Sequence, residues 1–364
     1  MNTGTSFAVQ LKPVGSACNI RCTYCYVEPF RPDKTKVMSL GVLERVIRSC
    51  VTTSATPTFS WHGGEPMLAG LPFFEKAWGF MQKWANGKPV RNVVQTNAML
   101  VTPQFAQFFQ KNGFGLSVSL DGPSQVHGAS RVRTGKRDPA KDNTFNGVMR
   151  GINNLRDVGI SPAVICTVGR NTLPYARDVF RFLVGEGFKE IKYSPVFDSV
   201  DDAFSLSADE WYSYLREVFE EWFALQDTSI HVRELDEVIA WMVNDPISCC
   251  SSNKSCVNWV SVDPEGNLYP CEYLRADMPY GNIMSMELPE ILNAPGYHRF
   301  ASEVSHVNSE CAKCQYFSVC GNGCPATRIA GGQIASHGVY VYCRQRQQLH
   351  ATIRDAFDGV LENR

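Results

Sequence analysis

The amino-acid sequence predicts an α/β fold, with a partial (β/α)6 TIM-like barrel followed by a smaller cysteine-rich α+β domain. Two observations support this prediction. From about Phe7 to Phe197, short β-type runs alternate with amphipathic helical runs, which is typical of parallel strands joined by helical crossovers. After about Asp198 the alternation ends, and cysteine and glycine become frequent. The 364 residues are enough to bury two hydrophobic cores.

The predicted strands are short and rich in β-branched and aromatic residues, whereas the predicted helices carry apolar residues at three- and four-residue spacing. We expect strands at FAVQLKP, TPTFSWHGG, VRNVVQTN, FGLSVSLDGP, SPAVICTVG and EIKYSPVF. Helices are expected between them at LGVLERVIRSCV, LPFFEKAWGFMQKWA, TPQFAQFFQKN, TFNGVMRGINNLRDVG and LPYARDVFRFLVGEG. Polar motifs follow several strands, at the barrel end where active sites lie.

We divide the chain into three parts. Residues 1–200 form the barrel, 201–248 a helical bridge and 249–364 the cysteine-rich domain. The bridge holds two amphipathic helices, at ADEWYSYLREVFEEWFALQ and ELDEVIAWMV, and the last part holds short strands, as in WVSVDPEGNLYPC.

Charge and hydropathy exclude several classes of partner. The chain has 35 basic and 36 acidic residues, so bulk charge indicates no nucleic acid and no anionic membrane as a partner. No apolar run approaches the roughly 20 residues of a membrane span, and the first residues lack the layout of a signal peptide. We expect a cytoplasmic protein with no membrane partner.

The chain has 14 cysteines, and most of them are clustered. The first cluster is Cys18, Cys22 and Cys25, directly after the first predicted strand. In a protein without an export signal, clustered thiols indicate metal or iron–sulfur ligation, because the cytosol disfavours disulfides. Three protein ligands can hold a [4Fe–4S] cluster and leave one iron open to an exchangeable ligand. The alternative is a zinc site completed by His62 or a distant cysteine.

A second set of cysteines lies near the C-terminus. It consists of Cys250, Cys256, Cys271, Cys311, Cys314, Cys320, Cys324 and Cys343. Eight thiols are sufficient for two fully ligated [4Fe–4S] clusters. A zinc ribbon would need paired CxxC knuckles, and within this second set only Cys311 and Cys314 have that form. Cys249 precedes Cys250 and could replace it as a ligand.

The CxxxCxxC spacing, with Tyr24 before the third cysteine, resembles the signature of radical S-adenosylmethionine (SAM) enzymes. The segment HGGEP resembles the family motif whose backbone and Glu65 meet the amino group of the cofactor. Ser119 of SLDGP and Arg131 match positions that contact its ribose and carboxylate. By this resemblance, the cofactor-binding residues are Tyr24, Gly63, Gly64, Glu65, Ser119, Arg131 and Phe197.

The resemblance implies a chemistry and a set of cofactors, namely three [4Fe–4S] clusters and S-adenosyl-L-methionine. The amine and carboxylate of SAM would chelate the open iron of the cluster on Cys18, Cys22 and Cys25. An electron would then split the sulfonium into methionine and a 5′-deoxyadenosyl radical, which abstracts hydrogen from an unactivated carbon. The protein would position the reactants and exclude water and oxygen.

The pattern from Cys250 to Cys343 resembles the SPASM domain of radical enzymes that modify peptides and proteins. The resemblance implies an inner cluster, nearer the substrate, on Cys250, Cys256, Cys271 and Cys324. It implies an outer cluster on Cys311, Cys314, Cys320 and Cys343.

Along the full chain, motifs from KPVGSACNIRCTYCY through WHGGEPMLAG and SLDGP to GNLYPC are most similar to those of anaerobic sulfatase-maturating enzymes. The resemblance implies oxidation of a Cys or Ser of a protein to formylglycine, with Glu272 as the catalytic base and flavodoxin or ferredoxin as an electron donor. Two positions differ from the family. Glu272 replaces the usual Asp, and Ala98 replaces a usual Gly after Asn97.

Two other functions stay open at this stage. One is a maturase that cross-links a ribosomal peptide through thioether or carbon–carbon bonds. Many such enzymes carry an added leader-binding domain, and the first strand is expected about ten residues from the start of this chain, which favours the sulfatase type. The other is a non-catalytic iron–sulfur electron carrier or a zinc-dependent binding module, which would not explain three thiols followed by the glycines and Glu65 at the next strand end.

Overall fold

A computed structural model of the chain describes residues 7–27, 32, 34–133, 143–196, 204–271, 274, 278–325, 328, 340 and 342–362. Its strands are β1 (Ala8–Leu11), β2 (Arg21–Cys22), β3 (Thr58–Trp61), β4 (Arg91–Thr96), β5 (Gly115–Ser119), β6 (Arg131–Val132), β7 (Ala163–Val168), β8 (Glu190–Pro195), β9 (His231–Val232), β10 (Trp259–Val262), β11 (Asn267–Tyr269) and β12 (Gly281–Asn282).

The α-helices of the same residues are α1 (Leu40–Thr53), α2 (Leu71–Ala85), α3 (Pro103–Lys111), α4 (Ser124–Gly128), α5 (Phe145–Arg156), α6 (Ala176–Gly185), α7 (Ala208–Leu225), α8 (Arg233–Met242), α9 (Cys250–Asn253), α10 (Pro295–Ser305), α11 (Phe317–Cys320) and α12 (Cys343–Glu362). Short 3-10 turns lie at Pro66–Ala69, Arg170–Tyr175, Ser255–Asn258, Leu288–Asn293 and Cys311–Lys313. None of these described helices is both long enough and apolar enough to cross a membrane.

The predicted α/β barrel is confirmed. Strands β1, β3, β4, β5, β7 and β8 are the six that the sequence predicts, and they pair in parallel in that order. In the β1–β3 register Leu11 is paired with Trp61, and in β3–β4 Trp61 is paired with Val94. All three side chains are fully buried against the helical layer. The alternate residues of these strands are less buried and face the barrel interior.

The sheet continues beyond the predicted barrel into the cysteine-rich region. Strand β10 pairs in parallel with the other edge of β1, and β11 and β12 follow it in antiparallel order. The Ser261 hydroxyl donates to Gln10 Oε1 across this pairing, at 2.9 Å. The barrel and the cysteine-rich region therefore share one sheet, which the sequence did not predict because the pairing joins residues 251 positions apart.

Local signals determine where the long helices begin. Ser39 caps α1 by accepting from the Val42 amide, and Ser207 and Glu210 form a reciprocal capping box at α7. Helix α12 packs along α7, where the Phe223 and Phe357 rings meet edge to face. The C-terminal helix thus joins the bridge and the cysteine-rich region into one body.

Candidate active site

The first thiol group lies on the loop between β1 and α1. Cys22 is part of β2, which pairs with β6 so that Cys22 faces Arg131 across the two strands. The Cys25 amide donates to the Cys22 carbonyl at 3.1 Å, which turns the chain so that the two residues are neighbours. Burial raises the pKa of Cys22 to about 12, Arg131 lowers it, and the nearby Cys25 and Cys18 thiols raise it further. The structure therefore brings the three predicted cysteines together.

The glycine pair after β3 holds this loop at close range. The Gly64 amide donates to the Gly15 carbonyl, and the Glu65 amide donates to the Ala17 carbonyl, both at 2.8 Å. A Cβ on Gly63, at φ +109°, would lie 2.5 Å from the Gly15 oxygen, and one on Gly64 would lie 2.0 Å from that of Ala17. The two glycines are required because backbone meets backbone here.

Glu65 is completely buried, and both of its carboxylate oxygens are used within the protein. Oε1 accepts from Met67 N at 3.1 Å and from Thr96 Oγ1 at 2.8 Å, and Oε2 accepts from Asn97 N at 2.8 Å. Burial raises the pKa of Glu65 to about 7, although these three donors lower it. Its described contacts join β3 to the end of β4, and its contact with a cofactor amine stays a prediction.

Asn97 contacts the first thiol group directly, a role that sequence reasoning missed. Its Nδ2 lies 3.6 Å from Cys18 Sγ and donates to Asn19 Oδ1 at 2.8 Å, while its Oδ1 accepts from Met99 N. The available signal was its place at a strand end beside the loop. The following Ala98 has φ +60°, a left-handed backbone that explains why glycine would be favoured at this position.

Arg131 and Tyr24, two predicted cofactor-binding residues, meet at Asp121. The Arg131 Nε donates to Asp121 Oδ2 at 2.9 Å, and the Tyr24 hydroxyl donates to the same oxygen at 2.6 Å. Arg131 Nη1 lies 3.8 Å from Cys22 Sγ, and its guanidinium lies over the Tyr24 ring. The predicted Ser119, at the end of β5, accepts from Gln95 Nε2 at 3.0 Å. Of these side chains, Arg131 reaches the first thiol group.

His127 is a buried neutral residue behind this network. Its Nδ1 accepts from the Asp121 amide at 3.4 Å, so Nε2 carries the proton and donates to Thr144 Oγ1 at 2.9 Å. The Thr144 hydroxyl in turn donates to the Arg131 carbonyl. Burial lowers the pKa of His127 to about 3. His62 is likewise held neutral, since burial lowers its pKa to about 3.

The cysteines predicted for the inner cluster are close to one another. Burial raises the pKa of Cys256 to about 12, and the Cys324 thiol raises it further. The pKa of Cys250 is raised first by a hydrogen bond with Cys249 and by burial, and then by Cys324 and Cys256. Burial raises the pKa of Tyr280, and the thiols of Cys256 and of the fourth predicted ligand, Cys271, raise it further.

The cysteines predicted for the outer cluster line one cavity. Its lining includes Cys311, Cys314, Cys320 and Cys343, together with Arg346 and Gln347. Burial raises the pKa of Cys343 to about 11, and the other three thiols raise it further. The exposed Gln347 directs Nε2 toward Cys343 Sγ at 3.6 Å and toward Cys314 Sγ at 3.8 Å.

Tyr26 directly follows the third cysteine of the first thiol group. Burial raises its pKa most, and the Cys25 and Cys271 thiols raise it further. Tyr26 therefore experiences the charge of thiols from both the first group and the cysteine-rich region. The predicted base Glu272 and the predicted cofactor residue Phe197 lie outside the described residues.

The donor sets fit iron–sulfur clusters better than single metal ions. Within the described ranges, no three or more His, Cys, Asp or Glu side chains form a group that could hold one metal ion. Thiolates around a single zinc ion would be only about 3.8 Å apart, from a Zn–S distance of about 2.3 Å and tetrahedral angles. A four-iron cluster is larger and takes soft thiolate ligands, with N–H donors near the sulfurs.

Comparisons with known proteins agree with this arrangement. A family model described as the radical SAM superfamily matches residues 13–183, and one described as the SPASM iron–sulfur cluster-binding domain matches residues 250–315. The serine-type anaerobic sulfatase-maturating enzyme of Bacteroides thetaiotaomicron is 27% identical, over 92% of this chain and 86% of that protein. The cysteine-type enzyme of Clostridium perfringens is 28% identical, over 87% of this chain and 88% of that protein.

A solved structure is similar over nearly the whole chain. It is described as native anSMEcpe with bound AdoMet and Kp18Cys peptide, and it is 25% identical with a TM-score of 0.86. The match covers 98% of this chain and 99% of that one.

Proposed function

Because the chain belongs to the radical SAM superfamily and carries a SPASM domain, we propose that it oxidises a Cys or Ser side chain of a peptide or protein to formylglycine, as in sulfatase maturation. The observation that carries this proposal is that Asn97 and Arg131 direct N–H groups toward two sulfurs of the three-thiol group. This group is suited to cofactor cleavage, and the eight later cysteines supply thiols suited to electron uptake. The sulfatase-maturating relatives, similar over most of the chain, support the same substrate class.

We assign the groups that the chain would hold as follows. Cys18, Cys22 and Cys25 would hold one [4Fe–4S] cluster, and the two later sets of four cysteines would hold one cluster each. SAM would bind among Tyr24, Gly63, Gly64, Glu65, Ser119, Arg131 and Phe197. When bound, these groups supply abstraction of a hydrogen atom from an unactivated carbon and uptake of one electron.

The chain's own residues position the first thiol group. Asn97 and Arg131 direct N–H groups toward the sulfurs of Cys18 and Cys22, which favours the thiolate form that a metal requires. The glycine pair closes the loop against β3 so that no side chain fills the space between them. These contacts hold the loop in place before any substrate arrives.

Glu272 would take the substrate proton. It follows Cys271 directly in the sequence, and Cys271 is one of the four ligands that the resemblance implies for the inner cluster. Once a hydrogen atom has left the substrate Cβ, loss of the thiol or hydroxyl proton to Glu272 makes the carbon strongly reducing, so that it gives up its second electron to the inner thiol group's cofactor. A Ser side chain then becomes the aldehyde directly, whereas a Cys side chain becomes a thioaldehyde that water converts to the aldehyde with release of hydrogen sulfide. The extra methylene relative to Asp changes the reach of this base and not its acidity.

We further propose a flavodoxin or ferredoxin as the electron donor and a cytoplasmic location. One-electron carriers of this kind match the demand of a cluster for single electrons. The clustered thiols require a compartment that keeps them reduced.

A peptide assay tests the proposed reaction. The anaerobically reconstituted protein is incubated with SAM, a reductant and a sulfatase peptide that contains a single Cys or Ser. We expect a product that reacts with a hydrazide probe, because formylglycine is an aldehyde, and a loss of two hydrogens for the Ser peptide by mass spectrometry. A product that also lost two hydrogens but did not react with the probe, with a bond between two side chains, would favour the cross-linking alternative.

A further inference from the structure

Asp121 accepts hydrogen bonds from two of the predicted cofactor-binding side chains, those of Arg131 and Tyr24. It follows β5, and its side chain is completely buried. Oδ2 accepts from Arg131 Nε at 2.9 Å and from the Tyr24 hydroxyl at 2.6 Å, and Oδ1 accepts from Thr167 N at 2.9 Å. One carboxylate thus joins the first cysteine loop, β6 and β7.

The backbone of Asp121 is also held in place. Its amide donates to His127 Nδ1. The next residue, Gly122, has φ +124°, and a Cβ there would lie 2.7 Å from the side chain of Val179 on α6. Because packing fixes this turn, Asp121 has little freedom to move. The side chains of Arg131 and Tyr24, which donate to Asp121, are therefore held in fixed positions as well.

Because Arg131 donates its Nε–H to Asp121, only its two outer nitrogens, Nη1 and Nη2, are available to bind a further ligand. Nε is used by the carboxylate, so Nη1 points toward Cys22 Sγ at 3.8 Å and Nη2 toward Thr167 Oγ1 at 3.5 Å. The guanidinium also lies over the Tyr24 ring, 5.6 Å from its centre. Arg131 is nearly fully buried, so its charge needs an anion close by.

We propose that Asp121 is a positioning residue for SAM: it orients the outer nitrogens of Arg131 toward the cofactor without touching the cofactor itself. The ligand chemistry at the outer nitrogens is that of a carboxylate, which a guanidinium binds through two N–H groups. This inference rests on the proposed function, because it assumes that SAM binds beside Cys22.

Replacing Asp121 would free both partners. An Asn side chain offers one oxygen and one NH2 group, so it cannot accept from Thr167 N, Arg131 Nε and the Tyr24 hydroxyl together. The buried guanidinium would lose its anion and turn toward the cysteine sulfurs. Residues that orient a ligating group typically contribute 10- to 100-fold to affinity, so we expect a loss of that size for SAM.

The test is a double-mutant cycle on SAM affinity. The dissociation constant is measured anaerobically by isothermal titration for the wild type, Asp121→Asn, Arg131→Gln and the double variant, each with its iron content determined. If Asp121 acts through Arg131, its substitution weakens binding about 10- to 100-fold in the wild type and has little further effect in the Arg131→Gln background. Losses that multiply in the double variant would overturn the proposal, as would an unchanged affinity in Asp121→Asn.

Two controls keep the outcome interpretable. Asp263→Asn changes another fully buried carboxylate, one whose oxygens accept from Glu265 N, Asn267 N and Asn267 Nδ2 in the β10–β11 turn, and should leave SAM affinity unchanged. If Asp121→Asn does not retain iron, the same cycle is run with Asp121→Glu, which keeps the charge and displaces it by one methylene. Failure of the wild type itself to bind SAM would contradict the proposed function and not the role of Asp121.

Discussion

The backbone of Gly64 lies directly against the backbone of Ala17. A Cβ on Gly64 would stand 2.0 Å from the Ala17 carbonyl oxygen, and the next residue, Glu65, donates its amide to that same oxygen. Cys18 follows Ala17, so the glycine motif after β3 determines how closely the cysteine loop approaches the end of β3. Close backbone packing therefore explains why glycine is needed here, independently of any contact with a cofactor.

Gly64→Ala should consequently displace the first cysteine loop. We expect loss of about four irons per chain, the content of one [4Fe–4S] cluster, while the two later sets keep theirs. Gly79→Ala is the matched control, because Gly79 lies in α2 with no atom near the added methyl, and it should stabilise the helix by about 0.5–1 kcal/mol. Full iron content in Gly64→Ala would show that the loop tolerates the displacement.

The neutral state of His127 predicts a pH dependence. Burial lowers the pKa of His127 to about 3 in the folded protein, from 6.5 when exposed. As pH falls below 6.5 the unfolded chain takes up a proton that the folded chain cannot, so stability is lost by up to about 1.4 kcal/mol per pH unit from this group.

His127→Gln should flatten that dependence. The amide can still donate to Thr144 but does not titrate. We therefore expect the urea midpoint of the variant to fall less than that of the wild type between pH 6.5 and pH 5.5, even if the variant is less stable at neutral pH. If the urea midpoints of the two proteins fell equally between these pH values, protonation of His127 would not be what destabilises the folded protein.

Gln347 should tune the outer cluster. Its Nε2 donates toward the sulfurs of Cys343 and Cys314, and such donors stabilise the reduced form of an iron–sulfur cluster. Gln347→Leu should therefore lower the reduction potential of that cluster, as followed by EPR in a redox titration. The signals of the other two clusters serve as internal controls, and an unchanged outer potential would remove Gln347 from this role.

Glu272 is tested by separating cofactor cleavage from substrate oxidation. Glu272→Gln keeps the size of the side chain but cannot accept a proton, so 5′-deoxyadenosine should still form while peptide oxidation falls by about 10² to 10⁴. Glu272→Asp should retain part of the activity if only reach matters. Wild-type peptide oxidation by Glu272→Gln with full iron content would make Glu272 a bystander.

The elements that the sequence predicts well are those with strong local patterns. Helix α1 was predicted at 40–51 and spans Leu40–Thr53, and all six barrel strands lie within their predicted runs. Local periodicity and caps are sufficient there. The parallel pairing of β10 with β1 and the short β2–β6 ladder were missed, because long-range register leaves no periodic signal within either segment.

In the candidate site too, local sequence patterns predict some features, whereas contacts between distant residues are not predicted. Cysteine spacing predicts the first group, whereas the resemblance implies the two later sets of four. Four of the later thiols line one cavity, and Cys250, Cys256 and Cys324 influence one another electrostatically. Their roles as cluster ligands stay predictions. Asp121 and Asn97 lie in polar motifs at strand ends, but the sequence assigns them no role, since an Asp or Asn at a strand end is ordinary. Their importance appears only once hydrogen bonds connect them to Arg131 and Cys18.

Hydrogen transfer from the substrate tests the central claim most directly. The protein is incubated with SAM, a reductant and a Cys or Ser peptide that is deuterated at the Cβ. The mass of the released 5′-deoxyadenosine is then measured by mass spectrometry. We expect deoxyadenosine that carries deuterium, formed together with an aldehyde on the peptide, and neither product from a variant with Cys18, Cys22 and Cys25 replaced by Ala. Unlabelled deoxyadenosine together with an unchanged peptide would contradict that claim.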